Sequence, residues 1–208
     1  MKENLDEIIT NIELIENNNL KTKEIERVLK MIDSYKMDDY QLHYLKGYLW
    51  NLLPFDSEKR EQEIETNLKK SIDLKSDYIY SKTELSFFYF DKKKYNKVIE
   101  LLNNLDFSFF ENNDQLWKSL KLQELLSVSK LYESREIPRK LIDEFIGLIT
   151  AYIYIPEEEI AIPTELINAV IENKKKKGMK PILEGAFMLV NSKNQKDYFD
   201  ESTINNLG

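Results

Sequence analysis

Apolar residues recur three and four positions apart along almost the whole chain, with short polar segments between the runs. The first such run is Leu5, Ile8, Ile9, Ile12 and Ile15. This spacing places the apolar side chains on one face of an α-helix, whereas a half-buried strand would require strict alternation. The sequence holds only five Gly and five Pro among 208 residues, so few positions break a helix or form a tight turn. The pattern predicts an all-α fold of about nine or ten helices.

The segment 71–105 has the most specific pattern. A small residue follows Leu in its first predicted helix, an aromatic residue lies three positions on, and a second aromatic residue opens the next helix. The residues in these places, with the apolar positions of the second helix, are Leu85, Ser86, Tyr89, Tyr95, Val98 and Leu102. This segment resembles one tetratricopeptide (TPR) repeat, a helix-turn-helix of about 34 residues in which the small residue lets the two helices pack closely.

The segment 38–71 resembles a weaker second repeat. Gly47 is its small residue and Trp50 its aromatic residue, although Lys46 stands where Leu is usual and the inter-helix turn is about five residues longer. Asp38 can cap its first helix. Because one such hairpin cannot bury its apolar face alone, the resemblance implies a TPR-like α-solenoid of stacked antiparallel hairpins.

The C-terminal half, residues 114–208, keeps helical spacing but loses the repeat pattern, after a turn expected at residues 107–110. Between residues 141 and 153 the apolar residues form two adjacent stripes, Leu141, Phe145, Leu148 and Tyr152 beside Ile142, Ile146, Ile149 and Ile153. A helix with two apolar stripes is covered on both sides, so we expect this helix at the centre of that half. Together the patterns predict a single helical domain over residues 1–208.

The resemblance also implies a peptide-binding groove, which in TPR proteins is lined by the first helix of each repeat. By that register the lining residues are Tyr80, Thr83, Phe87 and Phe90 from the stronger repeat, with Gln41, Tyr44, Tyr48 and Asn51 from the weaker one. They would form an aromatic, uncharged surface for the apolar side chains of a helix or an extended peptide. Aromatic residues at helical spacing are also typical of cores, so a C-terminal helical layer could fill the groove instead.

One specific TPR activity is not expected. Cochaperone TPR domains that clamp a C-terminal carboxylate use Lys and Asn at groove positions where this sequence has Thr83 and Phe87.

Residue types that support catalysis or metal binding are few. His43 is the one histidine, cysteine is absent, and the five glycines are too scattered for a phosphate-binding loop. The acidic run 157–159 could hold a cation, or it could complement the start of a helix. The basic run 174–177 before Gly178 could bind phosphate, or it could form the last turn of a helix. We expect no enzyme activity, no cofactor and no metal site, with His43 as a packed or exposed side chain.

The net charge of −7 at pH 7 repels nucleic acid and would attract a basic protein partner. The N-terminal residues are acidic rather than apolar, and no run of about 18 apolar residues occurs, so neither a signal peptide nor a membrane span is expected. The absence of cysteine fits the cytoplasm as the expected location.

Two functional classes follow from these observations. The first is a non-catalytic adaptor that binds a peptide or helix of a partner protein in its groove. The second is a bacterial immunity protein that neutralises a basic toxin through an acidic surface, since opposite charge accelerates association. The sequence does not choose between them.

Overall fold

In the computed structural model, the described residues are 2–17, 22–35, 38–54, 57–156 and 163–193. They form eleven α-helices and no strand, which confirms the all-α prediction. The helices are α1 (Lys2–Asn17), α2 (Thr22–Ser34), α3 (Tyr40–Leu52), α4 (Glu58–Leu74), α5 (Ile79–Asp91), α6 (Tyr95–Leu102), α7 (Ser108–Glu111), α8 (Leu116–Glu133), α9 (Arg139–Tyr154), α10 (Thr164–Glu172) and α11 (Lys180–Ser192).

Helix α7 lies where the sequence predicted only a turn, at residues 107–110. Asp106 Oδ1 accepts hydrogen bonds from the backbone N–H of Ser108 at 3.0 Å and from its hydroxyl at 2.7 Å. These bonds fix the first residue of α7 and allow one helical turn to form.

The chain packs as two compact units, Met1–Phe88 and Tyr89–Gly208, and the boundary between them lies within α5. Each unit is described by itself. The expected single domain over residues 1–208 and the expected α-solenoid stay predictions. In the described part of the chain, no helix combines the length and the apolar character that a membrane crossing requires.

In the first unit, successive helices pack side by side, with α1 on α2, α2 on α3 and α3 on α4. The apolar stripes of α1, α2 and α3 meet in one core, formed by Ile8, Ile12, Ile15, Ile25, Val28, Leu29, Ile32, Leu45, Leu49 and Leu53. Trp50 packs against this core, and the ammonium of Lys59 lies 5.6 Å from the centroid of its ring.

The first residue of α3 is fixed by Asp39 rather than by Asp38. Asp39 Oδ1 accepts from two backbone N–H groups of the first turn, at 2.8 and 3.2 Å. The carboxylate of Asp38 instead contacts His43 at 2.9 Å and the ammonium of Lys70 at 3.0 Å. The predicted cap of α3 was therefore one residue early. The Asp38 carboxylate binds side chains of α3 and α4 instead of the backbone at the start of α3.

Helices α3 and α4 come into close contact at Gly47. A Cβ atom at this position would lie 2.7 Å from Cγ and 2.9 Å from Cδ2 of Leu68. Leu68 is itself completely buried, so it has little room to move away. The absence of a Cβ atom at Gly47 therefore allows α3 and α4 to approach closely.

Two serine hydroxyls connect three helices of the first unit. Ser71 on α4 donates to the backbone carbonyl of Tyr40 on α3 at 2.7 Å. Ser81 on α5 donates to the Ser71 hydroxyl, also at 2.7 Å. Ser86 on α5 is completely buried as well, and its hydroxyl donates to the Thr83 carbonyl. These small polar residues satisfy their hydrogen bonds inside the packed layer.

The second unit is arranged around α8, which packs against α6, α7, α9 and α10, while α11 packs against α9 and α10. The sequence predicted α9 at the centre of this half. The first stripe of α9 and Ile149 of its second stripe are buried, but Ile146 is exposed and Ile142 and Ile153 are only partly buried. The apolar pattern of the sequence does not predict that α8 is central. Polar residues occupy several of its buried positions, namely Ser119, Glu124, Ser127 and Ser129. At the start of α8, Trp117 is 54% exposed.

Two glycine substitutions should change stability in opposite directions. Gly47→Ala should lower the free energy of unfolding by about 1–2 kcal/mol, because overpacking against Leu68 outweighs the gain in helix propensity. Gly147 on α9 is exposed, and no atom of the described residues outside its own helical turn lies within 4 Å of its Cβ position. Gly147→Ala should therefore raise the free energy of unfolding by about 0.5–1 kcal/mol. Urea unfolding of both variants is the measurement, and a stabilised Gly47→Ala protein would contradict the close contact.

Candidate functional site

Five tyrosine rings meet on the first unit. Tyr40, Tyr44 and Tyr48 are four residues apart on α3, so they share one face of that helix. Tyr78 immediately precedes α5, and Tyr80 lies in its first turn. We call these five residues the tyrosine cluster. All five are partly exposed.

The rings contact one another in the geometries that aromatic pairs prefer. Tyr78 is central: its ring centroid lies 4.8 Å from that of Tyr40, 5.5 Å from that of Tyr44 and 5.6 Å from that of Tyr80, each in an edge-to-face arrangement. Tyr44 also lies 6.1 Å from Tyr80 and stacks on Tyr48 at 6.0 Å. Such pairs are worth about 0.5–1.5 kcal/mol beyond the area that they bury. The cluster is therefore an ordered surface of rings rather than five independent side chains.

A cation of the chain itself lies on this surface. The ammonium of Lys75, the residue that follows α4, is 4.7 Å from the ring centroid of Tyr40 and 5.9 Å from that of Tyr78. Burial raises the pKa of Tyr78 to about 12, and the neighbouring Tyr40, Tyr80 and Asp39 add to the rise. The Tyr78 hydroxyl therefore stays protonated in alkaline solution where an ordinary tyrosine would ionise.

The structure brings together three of the eight residues that the TPR resemblance assigned to the groove. Tyr44, Tyr48 and Tyr80 belong to the tyrosine cluster. Thr83 is completely buried and its hydroxyl donates to the Ile79 carbonyl at 2.8 Å, so its side chain does not reach the surface, contrary to expectation. Its hydroxyl bonds to the preceding turn of the same helix, which is a common alternative for threonine in a helix.

Phe87 and Phe90 have different surroundings. Phe87 is partly exposed on α5. Phe90 belongs to the second unit, where it packs against the core and contacts the edge of Tyr95 at 5.7 Å between ring centroids. Of the two flanking polar residues in the weaker register, Gln41 is partly exposed and the Asn51 carbonyl accepts a hydrogen bond from Arg60 at 2.7 Å.

Sequence reasoning missed three residues of this surface, namely Tyr40, Tyr78 and Lys75. The signal for Tyr40 was present, because its spacing continues the stripe of Tyr44 and Tyr48 by one more helical turn. Tyr78 and Lys75 lie in the connection between α4 and α5, where helical periodicity carries no information on side-chain direction.

A second candidate site is the carboxyl group of Glu124 on α8, which is completely buried. Its Oε1 accepts from the backbone N–H of Leu166 at 3.1 Å, and its Oε2 accepts from the Tyr152 hydroxyl at 3.0 Å and the Lys121 ammonium at 3.2 Å. Burial raises the pKa of Glu124, and the charge of Lys121 offsets part of the rise. Lys121 also binds Glu165 at 2.7 Å.

These partners give Glu124 a structural role. Leu166 lies in the first turn of α10 and Tyr152 lies on α9, so one carboxyl group joins three helices. It also supplies α10 with the acceptor that a helix start requires. With its oxygens bonded inside the unit and none of its surface exposed, this group is closed to a substrate.

The basic run 174–177 follows α10 instead of forming its last turn, since α10 ends at Glu172. The ammonium of Lys176 donates to the backbone carbonyls of Leu131 at 2.6 Å and Tyr132 at 3.3 Å, and burial lowers the pKa of Lys176. The carbonyls at the end of α8 lack partners within their helix, and this lysine supplies one. The expectation of a final helical turn at 174–177 is therefore corrected.

His43 is a packed side chain. Its Nε2 lies 2.9 Å from Asp38 Oδ1 and its Nδ1 lies 3.2 Å from Asn67 Oδ1, so both ring nitrogens are engaged. Within the described ranges, no three His, Asp or Glu side chains are close enough to hold a metal ion together. The acidic run 157–159 lies outside the described residues.

Comparison of the chain with protein-family models, with curated proteins and with solved structures found no match.

Replacing Tyr78 should change how stability depends on alkaline pH. A tyrosine in the unfolded chain ionises near pH 10, whereas the pKa of Tyr78 in the folded protein is about 12. The folded state disfavours the tyrosinate, so this group reduces stability as the pH rises above about 10. Tyr78→Phe should therefore lose less stability than the wild type between pH of about 10 and 12, measured as urea midpoints. Tyr154→Phe, at an 83% exposed position, is the control. Parallel curves for wild type and Tyr78→Phe would contradict the burial of this hydroxyl.

Glu124→Ala should lower the free energy of unfolding by about 2–4 kcal/mol, because it leaves the Leu166 N–H and the Tyr152 hydroxyl buried without their acceptor. Glu144→Ala is the matched control, since Glu144 is only partly buried and pairs with Lys130 at 3.0 Å; it should cost about 0–1 kcal/mol. Similar small losses for both variants in urea unfolding would rule out the structural role of Glu124.

Proposed function

We propose that this chain is a non-catalytic protein-interaction module, an adaptor that binds a peptide or helix of a partner protein through the tyrosine cluster. The observation that supports the proposal is the set of five partly exposed tyrosine rings in mutual contact on α3 and at the start of α5.

Tyrosine suits this role for physical reasons. Its ring offers a large apolar face, and its hydroxyl can bond to water before binding and to a partner afterwards. A ring that is already held by its neighbours loses little conformational freedom when a partner arrives, so less of the binding energy is spent on ordering the surface. Tyrosine is accordingly enriched in binding hot spots.

The proposal includes a TPR-like arrangement in which the tyrosine cluster would line the concave face. The resemblance of segment 71–105 to a TPR repeat and the close contact of α3 with α4 at Gly47 support it. Of the groove residues that the TPR resemblance implies, this proposal retains Tyr44, Tyr48 and Tyr80. It does not require Thr83.

The immunity role is kept as the alternative because the net charge of −7 would attract a basic toxin. The immunity role predicts that binding depends on the overall acidic charge and not on the tyrosine cluster. A toxin held by a broad acidic surface would associate more slowly at high salt and would tolerate loss of single tyrosine rings.

The test compares three forms of the full chain in affinity capture from the native cell's lysate. Tyr44→Ala/Tyr80→Ala removes two rings of the cluster, and Tyr154→Ala, at the 83% exposed position on α9, removes a tyrosine outside it. A partner should be retained by the wild type and Tyr154→Ala but lost by the double variant, with a dissociation constant raised at least about 30-fold, or about 2 kcal/mol. Circular dichroism checks that each variant is folded.

Equal retention of the partner by all three forms would overturn binding through the tyrosine cluster. If that partner is also basic and is released by salt, the result would favour the immunity role. Enrichment of no protein over blank resin would contradict both.

A further inference from the structure

The contact between Lys75 and two rings of the tyrosine cluster has the geometry of a cation site. Tyr40 and Tyr78 meet edge to face, and the Lys75 ammonium lies within 6 Å of both ring centroids, at 4.7 and 5.9 Å. This is the range in which the ring quadrupole attracts a cation. Among the described residues, no carboxylate lies within ion-pairing distance of this ammonium. The rings, and not an acidic residue, hold the charge.

Negative charge is also available to attract a cationic side chain. Asp73, near the end of α4, and Asp77, in the connection to α5, are both exposed and lie two positions before and after Lys75 in the sequence. Asp39 makes the smallest contribution to the raised pKa of Tyr78, after burial and the neighbouring Tyr40 and Tyr80. The π faces of Tyr40 and Tyr78, on a chain with a net charge of −7, therefore favour positive charge at the place of Lys75.

Resting on the function proposed above, we propose that a lysine or arginine side chain of a basic protein partner takes the place of Lys75 against Tyr40 and Tyr78. Lys75 then acts as a weak internal competitor that occupies the site until the partner arrives. A lysine side chain is long and flexible, and its ammonium can exchange the rings for water at little cost. An incoming arginine would also stack its planar guanidinium on a ring.

The competition has a measurable consequence. An exposed cation–π contact is worth about 0.5–1 kcal/mol, which corresponds to about a two- to fivefold change in a dissociation constant. Removing the Lys75 ammonium should therefore tighten binding of an external cation by about two- to fivefold. Lys70 provides the matched control, because it carries the same charge on α4 but binds Asp38 at 3.0 Å instead of the rings.

The experiment titrates the full chain with three small probes at constant ionic strength, followed by the NMR signals of the tyrosine rings. The probes are the N-acetyl methylamides of lysine, arginine and norleucine, the last having the lysine stem without its charge. The proteins are the wild type, Lys75→Met, Lys70→Met, Tyr78→Phe and Tyr78→Leu. Phenylalanine keeps the π face and leucine removes it, so these two variants separate a cation–π contact from simple apolar packing.

We expect the lysine and arginine probes to shift the Tyr40 and Tyr78 signals and the norleucine probe to leave them unchanged. Lys75→Met should bind the lysine probe about two- to fivefold more tightly than the wild type, and Lys70→Met should not. Tyr78→Phe should keep the binding and Tyr78→Leu should lose it. Three results would each overturn the proposal: a norleucine probe that binds as well as lysine, an equal gain from Lys70→Met and Lys75→Met, or full binding by Tyr78→Leu.

The two proposals fail in distinguishable ways. Failure of the lysine probe, together with a partner that depends on Tyr44 and Tyr80, would overturn the cation site and leave the interaction module intact. Binding of the lysine probe with no partner that depends on the cluster would instead overturn the proposed function and leave a site for small cations.

Discussion

The close contact of α3 and α4 at Gly47 is the constraint on which the geometry of the first unit depends. Because glycine lacks a Cβ atom, Leu68 can lie directly against the α3 backbone. The same pair of helices is joined where the Ser71 hydroxyl reaches the carbonyl of Tyr40, and Ser81 adds the start of α5 to this connection. The rings on α3 and those at the start of α5 therefore meet as one surface. The tyrosine cluster is a consequence of the packing beneath it.

The second unit is held together by a different kind of interaction. Its central helix, α8, carries an ionisable group into the core, and hydrogen bonds to Tyr152, Leu166 and Lys121 offset part of the cost of removing Glu124 from water. Apolar contacts have no fixed direction, and a core built from them alone specifies a single arrangement less strictly than one that also contains directional hydrogen bonds. Directional bonds from one carboxyl group allow fewer arrangements, so α8, α9 and α10 are held in register by Glu124 as well as by their apolar faces.

Helical periodicity was sufficient to predict the all-α class, because the spacing of apolar residues is a local property, and the TPR-like pattern of segment 71–105 placed the start of α6 at Tyr95. The site was predicted only in part. Burial of Thr83 depends on packing that a single-helix pattern does not contain. Glu124 was overlooked because its partners Tyr152 and Leu166 lie 28 and 42 residues away in sequence. A buried polar residue whose partners are distant in sequence interrupts the apolar periodicity of its helix. A central helix that contains such residues is therefore not recognised from its sequence.

The two tryptophans give each unit its own optical signal. Trp50 is half-buried against the core of the first unit, whereas Trp117 is largely exposed at the start of α8 in the second. An aqueous quencher reaches an exposed indole more readily than a buried one, and burial moves indole emission to shorter wavelength. Acrylamide should therefore quench the fluorescence of Trp117 first. The remaining fluorescence comes from Trp50 and reports on α3. The unfolding of each half can be followed separately by fluorescence, without attaching a dye to the chain.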